Sequence, residues 1–184
     1  MEKLPFLGVG PKIAMIVMPY LAVTIVLNKL FPAIFTFGHA VQKPMMIAGI
    51  IILAIALGLY IATLRLMVPG IRNNRLITTG TYRLCRNPLY AALLLFLIPG
   101  IGLLLNSWII LTTSIVGYLV FRKFIHEEEE LLERLFGDEF RTYEAGTPAI
   151  INSEFHSSLV ILVIREFLIK SFLLKIDFSI SRCS

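Results

Sequence analysis

PLYAALLLFLIPGIGLLLNSWIILTTSIVGYLVF, residues 88–121, is a run of 34 residues without a single charge. About 20 apolar residues suffice to cross the hydrocarbon core of a bilayer, so the run is too long for one span. Asn106 and Ser107, following Gly100 and Gly102, mark a place where the chain can turn back. The stretch therefore reads as a tight transmembrane helical hairpin.

Working outward, Pro44 to Leu64 gives 21 further residues without a charge, a span that Arg65 is expected to close. Ahead of it, a first span is expected from about Ile13 into the thirties. Pro19 should interrupt it, and Lys29 beside Asn28 can snorkel to the interface at its far end. Lys3 and Lys12 before this apolar run faintly resemble a signal peptide. The run exceeds the 7–15 or so residues of such a segment, however, and reads as an uncleaved span.

The whole chain agrees with this assignment. Its 184 residues are 57% apolar, with a mean hydropathy of +0.83, more apolar surface than one soluble domain of this length can bury. The formal charge of +5 comes from basic residues gathered between apolar runs, the pattern of membrane-span flanks and not of a nucleic-acid-binding stripe. Lys3, Lys12, Arg65, Arg72, Arg75, Arg83, Arg86, Arg122 and Lys123 fall on one side of a four-span arrangement and only Lys29 and Lys43 on the other. Both termini are then cytoplasmic. The expected fold is all-α and integral to the membrane, with about four transmembrane helices, the C-terminal hairpin and a cytoplasmic amphipathic helix. The membrane would be the cell membrane of a prokaryote or the endoplasmic reticulum of a eukaryote. Cys85 and Cys183 belong to no closely spaced pair, so neither a disulfide nor a metal site is indicated.

After Phe121 the character changes, through Arg122, Lys123 and His126 into four glutamates, Glu127 to Glu130. Leu131, Leu132, Leu135, Phe136, Phe140 and Tyr143 recur at helical spacing and form an apolar stripe that should lie against protein or the membrane surface. Gly137 is expected to separate two short helices here, with Asp138 as N-cap of the second. Residues 1–150 read as one domain and 151–184 as an appended tail. Phe155 to Phe178 is apolar but interrupted by Arg165, Glu166, Lys170 and Lys175, as an interfacial helix would be.

Two polar clusters bracket the hairpin: Asn74 to Tyr90, and the glutamate run. A tight hairpin returns the chain to the membrane face it left, so the clusters should meet there and place opposite charges in one pocket. Read singly, each has a plainer meaning: the arginines are topology signals, the glutamates a solvated helix face, Asn87-Pro88 a helix start and the tyrosines interfacial aromatics.

Taken together the motifs resemble the isoprenylcysteine carboxyl methyltransferase family and its phospholipid methyltransferase relatives. The family pattern is Arg-His-Pro-x-Tyr, a hydrophobic hairpin, then Glu-Glu followed by Leu and Phe-Gly. This chain has Arg86-Asn87-Pro88-Leu89-Tyr90, the hairpin, Glu128-Glu129, Leu132 and Phe136-Gly137, with Gly80-Thr81-Tyr82 upstream. The resemblance runs from about Arg75 to Tyr143. It implies a methyltransferase that uses S-adenosylmethionine on a lipid-like or prenylated substrate carboxylate at the cytoplasmic face. It also implies cofactor contacts at Asn74, Arg75, Leu76, Ile77, Tyr82, Asn87, Pro88, Leu89, Tyr90 and Glu128. A carboxylate such as Glu128 suits an ammonium, and amides and aromatics suit a carboxylate and an adenine.

Three positions depart from the family. Asn87 replaces the histidine and cannot change charge. Phe124 stands where the prenylcysteine enzymes carry a substrate-facing arginine, which leaves the neighbouring Arg122 and Lys123 as candidate substrate contacts. Ala149 follows Thr147-Pro148 where an arginine is usual. Sterol reductases resemble the family in their C-terminal half, so an NADPH-dependent membrane reductase and a non-catalytic membrane protein of the same fold stand as alternatives. Beyond the substrate and membrane lipids no partner is indicated, nucleic acid least of all, and the sequence does not address oligomeric state.

Overall fold

The structure, a computed structural model, describes residues 8–150 together with Arg165 and Ile169. Among these residues every regular element is helical, and the one strand-like pairing is an isolated antiparallel bridge between Thr36 and Ser107.

Helix α1, Gly10–Leu30, has Pro11 in its first turn, where a missing N–H costs nothing. It runs unbroken through Pro19, so the expected interruption does not occur. A short helix, α2 (Pro32–Phe35), leads to α3, His39–Arg72. Arg65 does not close α3, which continues for two more turns and carries Pro69 within it. The reason is physical: a charge marks where hydrocarbon ends, whereas a helix ends where its backbone finds other partners. Arg65 is exposed on this extension.

Pro88–Leu104 is one apolar rod made of α4 (Pro88–Ala91), a wide π-helical turn (Ala92–Leu97) and α5 (Ile98–Leu104). The wide turn falls where Pro99 can supply no N–H to the carbonyl one turn earlier. The chain reverses at Leu105, Asn106 and Ser107, with Asn106 at φ 50°. It returns as α6, Trp108–Phe136. The glutamates are therefore on the returning helix itself, not on a separate short one. Gly137 ends α6, as expected, and also takes the N-cap position of α7 (Asp138–Gly146), leaving Asp138 in the first turn without a capping bond.

Three helices, Gly10–Leu30, Val41–Arg72 and Trp108–Phe136, are long and apolar enough to cross a membrane; Pro88–Leu104 is shorter. Ile47, Ile50, Ile51, Ile55, Leu57 and Ile61 of α3 all point outward, a surface suited to lipid. The core lies between α1 and the two antiparallel rods, where Ile13 and Val17 pack on Leu94, Ile98, Ile110, Phe121 and Ile125. On the other side α3 and α5 approach closely: a Cβ on Gly49 would lie 2.6 Å from the Leu104 backbone nitrogen, and one on Gly100 would lie 2.8 Å from Leu53. The tail expected as an interfacial helix falls outside the described residues, apart from Arg165 and Ile169.

Candidate functional site

The segment after α3 is irregular, with a 3-10 turn at Gly80–Arg83, and lies across the polar end of the helix pair. Pro88 starts α4 directly behind Asn87, so Tyr90 projects from the first turn toward α6. There the Tyr90 hydroxyl donates to Glu128 Oε2 at 3.3 Å, across 38 residues of sequence. Its ring packs on Phe121 at 5.2 Å between centroids. The backbone N–H of Val9 donates to the same oxygen, also at 3.3 Å. The two polar clusters do meet.

They border a cavity that opens to solvent on one side. Of the ten expected cofactor contacts, Arg75, Leu76, Ile77, Tyr82, Asn87, Pro88, Leu89, Tyr90 and Glu128 line it. Asn74 does not; it is exposed at a turn with φ 50°. Arg122 and Lys123 are exposed farther along α6 and also stand outside the lining, with Lys123 Nζ 5.8 Å from the centre of the Phe124 ring.

The remaining walls were not anticipated as site residues. Met67 and Ile71 come from the extra turns of α3, and Leu132, Phe136, Phe140 and Tyr143 from the stripe of α6 and α7. Periodicity gives this stripe an apolar face but does not say whether the face meets protein, membrane or a ligand. Gly8 also lines the cavity, and nothing in its sequence neighbourhood signals it.

Arg86 and Glu129 are the most heavily bonded pair. The guanidinium donates from Nε and Nη2 to Glu129 Oε1 at 3.2 and 2.5 Å, and from Nη1 to the carbonyls of Glu144 and Thr147 at 3.1 and 2.8 Å. Glu144 Oε1 lies 3.0 Å from Nη2. With the Arg86 and Glu129 side chains 12% and 14% exposed, this is a largely, not fully, buried ion pair whose lone pairs and protons are well used. Beside it the backbone N–H groups of Arg86 and Asn87 donate to the carbonyls of Pro148 and Ala149, and Asn87 Nδ2 donates to Ala149 as well. The amide at position 87 thus ties α4 to the segment after α7, a bond that needs only a donor.

The electrostatics of the cavity follow from what is left. Arg86 and Glu129 neutralise each other. Arg75, itself exposed to solvent, makes no side-chain hydrogen bond or ion pair with the described residues, and Glu128 Oε1 accepts none from them, so one exposed cation and one carboxylate oxygen border the space. Burial, with the Glu128 charge adding to it, pushes the Tyr82 hydroxyl well above its ordinary pKa. Burial likewise pushes Tyr143 up to about 12, and its hydroxyl donates to the Tyr82 carbonyl at 2.6 Å. Both phenols stay neutral at physiological pH. A ligand with an ammonium, a carboxylate and a flat ring finds a partner for each.

Comparison with known proteins supplies a family for the chain. The family model for phospholipid methyltransferases matches residues 44–139. Over 119 residues the chain is 31% identical to the cobalt-zinc-cadmium resistance protein CzcN of Cupriavidus metallidurans, covering 61% of this chain and 54% of that protein. Over 118 residues it is 30% identical to the nickel-cobalt-cadmium resistance protein NccN of Alcaligenes xylosoxydans xylosoxydans, with the same coverage. The chain spans about half the length of the curated relatives it matches. No solved structure matches it. The family match takes in α3, both antiparallel rods and the cavity from Met67 to Phe136, and on that ground the chain belongs to the phospholipid methyltransferase family, within the wider group of membrane methyltransferases that includes the isoprenylcysteine enzymes.

Proposed function

We propose that this protein is an S-adenosylmethionine-dependent methyltransferase whose acceptor is a lipid-like or prenylated molecule, presented from the bilayer at the cytoplasmic face. The observation that carries the reading is the junction of Tyr90 and Glu128, at opposite ends of two antiparallel helices, inside a cavity where Arg75 and Glu128 Oε1 are left with opposite charges to satisfy.

The residues fit the cofactor. Glu128 Oε1 suits its ammonium, Arg75 its carboxylate, and the aromatic wall of Tyr82, Phe136, Phe140 and Tyr143 its adenine. When bound, the cofactor supplies an electrophilic methyl group on a sulfonium. This chain's residues orient it and keep water away, the effects that carry most of the rate in such a transfer. Met67, Ile71 and Leu132 offer hydrocarbon to the acceptor.

The proton inventory favours an acceptor that arrives as an anion, such as a carboxylate. Asn87 cannot take a proton, and Glu129 is committed to Arg86. His126 is 74% exposed and stands outside the lining. Glu128 alone faces the cavity as a base, and the cofactor's ammonium claims it.

In the membrane the same reading places four spans, with Pro88–Leu104 and α6 as a hairpin and both termini cytoplasmic. Single cysteines at positions 74 and 138, both exposed, should be labelled only from the cytoplasmic side. Labelling of either from outside intact cells by a membrane-impermeant probe contradicts the topology.

Calorimetry on purified protein in detergent tests the function. S-adenosylhomocysteine is expected to bind and NADPH not to. Binding of NADPH without S-adenosylhomocysteine would transfer the assignment to the reductases.

A further inference from the structure

The start of α1 lies outside the residues matched by the family model, yet it touches the Glu128 carboxylate through Oε2. Gly8 lines the cavity with φ +45°, a conformation that residues with a Cβ rarely adopt. A Cβ on Gly8 would lie 2.6 Å from Glu128 Oε2 and 2.9 Å from its carboxyl carbon, too close for the carboxylate to stay where it is. The next residue, Val9, is buried in the core and donates its N–H to Oε2. One turn on, Lys12 pairs with Glu127, and its Nζ lies 5.8 Å from the centre of the Phe124 ring. The start of α1 is thus held against α6 at Phe124, Glu127 and Glu128.

We propose that Gly8 and Val9 are positioning residues of the cofactor site: Val9 holds Oε2 of Glu128 from behind so that Oε1 is the oxygen offered to the ligand's ammonium, and Gly8 is required because any side chain there would displace the carboxylate. The inference rests on the cofactor reading above. Two donors on one oxygen, from Val9 and Tyr90, fix the rotation of the carboxylate group. A carboxylate fixed in this way meets an ammonium without the ordering cost that a free side chain carries.

The effect should be selective for the part of the ligand that carries the ammonium. Binding to the full chain in detergent is therefore measured by calorimetry for S-adenosylhomocysteine and for 5′-deoxy-5′-methylthioadenosine, which keeps the adenosine and sulfur but lacks the amino-acid end. Gly8→Ala is expected to weaken S-adenosylhomocysteine by roughly tenfold or more and to leave the truncated ligand within about twofold. Gly10→Ala is the matched control, because a Cβ there meets only the Tyr90 hydroxyl at an ordinary 3.6 Å; it should change neither. Should Gly8→Ala fail to fold, Val9→Pro takes its place. It removes the donor at a φ of −83°, near proline's own, and must give the same selective loss. Unchanged binding of S-adenosylhomocysteine, or equal loss of both ligands, overturns the inference while leaving the proposed function standing. Wild-type protein that binds neither ligand overturns both.

Discussion

The two ends of the antiparallel pair formed by Pro88–Leu104 and α6 are built from opposite materials. At the turn, uncharged groups close the structure. Ser107 N–H donates to the Gly102 carbonyl, Phe37 N–H to the Asn106 carbonyl, Asn106 Nδ2 to the Gly38 carbonyl and Trp108 Nε1 to the Ile34 carbonyl. These bonds draw the chain tight at the turn. At the other end the same two helices carry Tyr90, Glu128 and Glu129, Arg86 stands just ahead of Pro88, and a cavity lies among them. A backbone stitched by its own amides closes on itself. Charged side chains need room and partners, and where they do not fully pair they leave sites for a ligand.

The largest effect expected from breaking this contrast is at Arg86. Arg86→Ala leaves Glu129 buried without its partner and frees the carbonyls of Glu144 and Thr147. Thermal unfolding in detergent should show a loss of about 3–5 kcal/mol. Glu129→Gln keeps a hydrogen-bond acceptor and should cost less. A near-neutral Arg86→Ala would mean that α7 is held over the cavity by other contacts.

At the closed end, Trp108→Phe removes the indole donor to Ile34 but keeps most of the ring that packs on Phe35. It should cost about 1 kcal/mol of stability and leave S-adenosylhomocysteine binding unchanged. Altered ligand binding in this variant would show that the two ends are coupled and the contrast too sharply drawn.

The smallest effect is expected from the exposed cations of α6. With both changed to glutamine, Arg122 and Lys123 should leave cofactor affinity within about twofold, since exposed charges outside the lining contribute little. If they contact the acceptor, the change appears in its KM instead.

Much of this contrast was legible in the sequence. The uncharged run from Pro88 to Phe121, with Asn106-Ser107 inside it, gave both the turn and the meeting of the polar clusters, because hydropathy and turn chemistry act locally. The true end of α3 was not legible, nor was the unbroken run of α6 from the hairpin to Gly137. Both helices continue past the first arginine, and charge marks the limit of the hydrocarbon without ending a helix. The family resemblance singles out Glu128, but residue type alone does not separate it from Glu129: neighbouring glutamates look alike until a rotation of about 100° on the helix sends one to the cavity and the other to Arg86. Gly8 was the least visible of all: its role depends on a residue 120 positions away.

The central claim is that the Glu128 carboxylate is the ligand's ammonium partner, and calorimetry with S-adenosylhomocysteine on Glu128→Gln tests it most directly. A charged hydrogen bond contributes on the order of 1.5–3 kcal/mol, so the variant should bind roughly ten- to a hundredfold more weakly than wild type. Glu133→Gln is the control: Glu133 lies on the same helix, but its carboxylate pairs with Arg141 at the surface, 2.7 Å away, and its loss should leave binding unchanged. Equal affinity in wild type and Glu128→Gln would contradict the account.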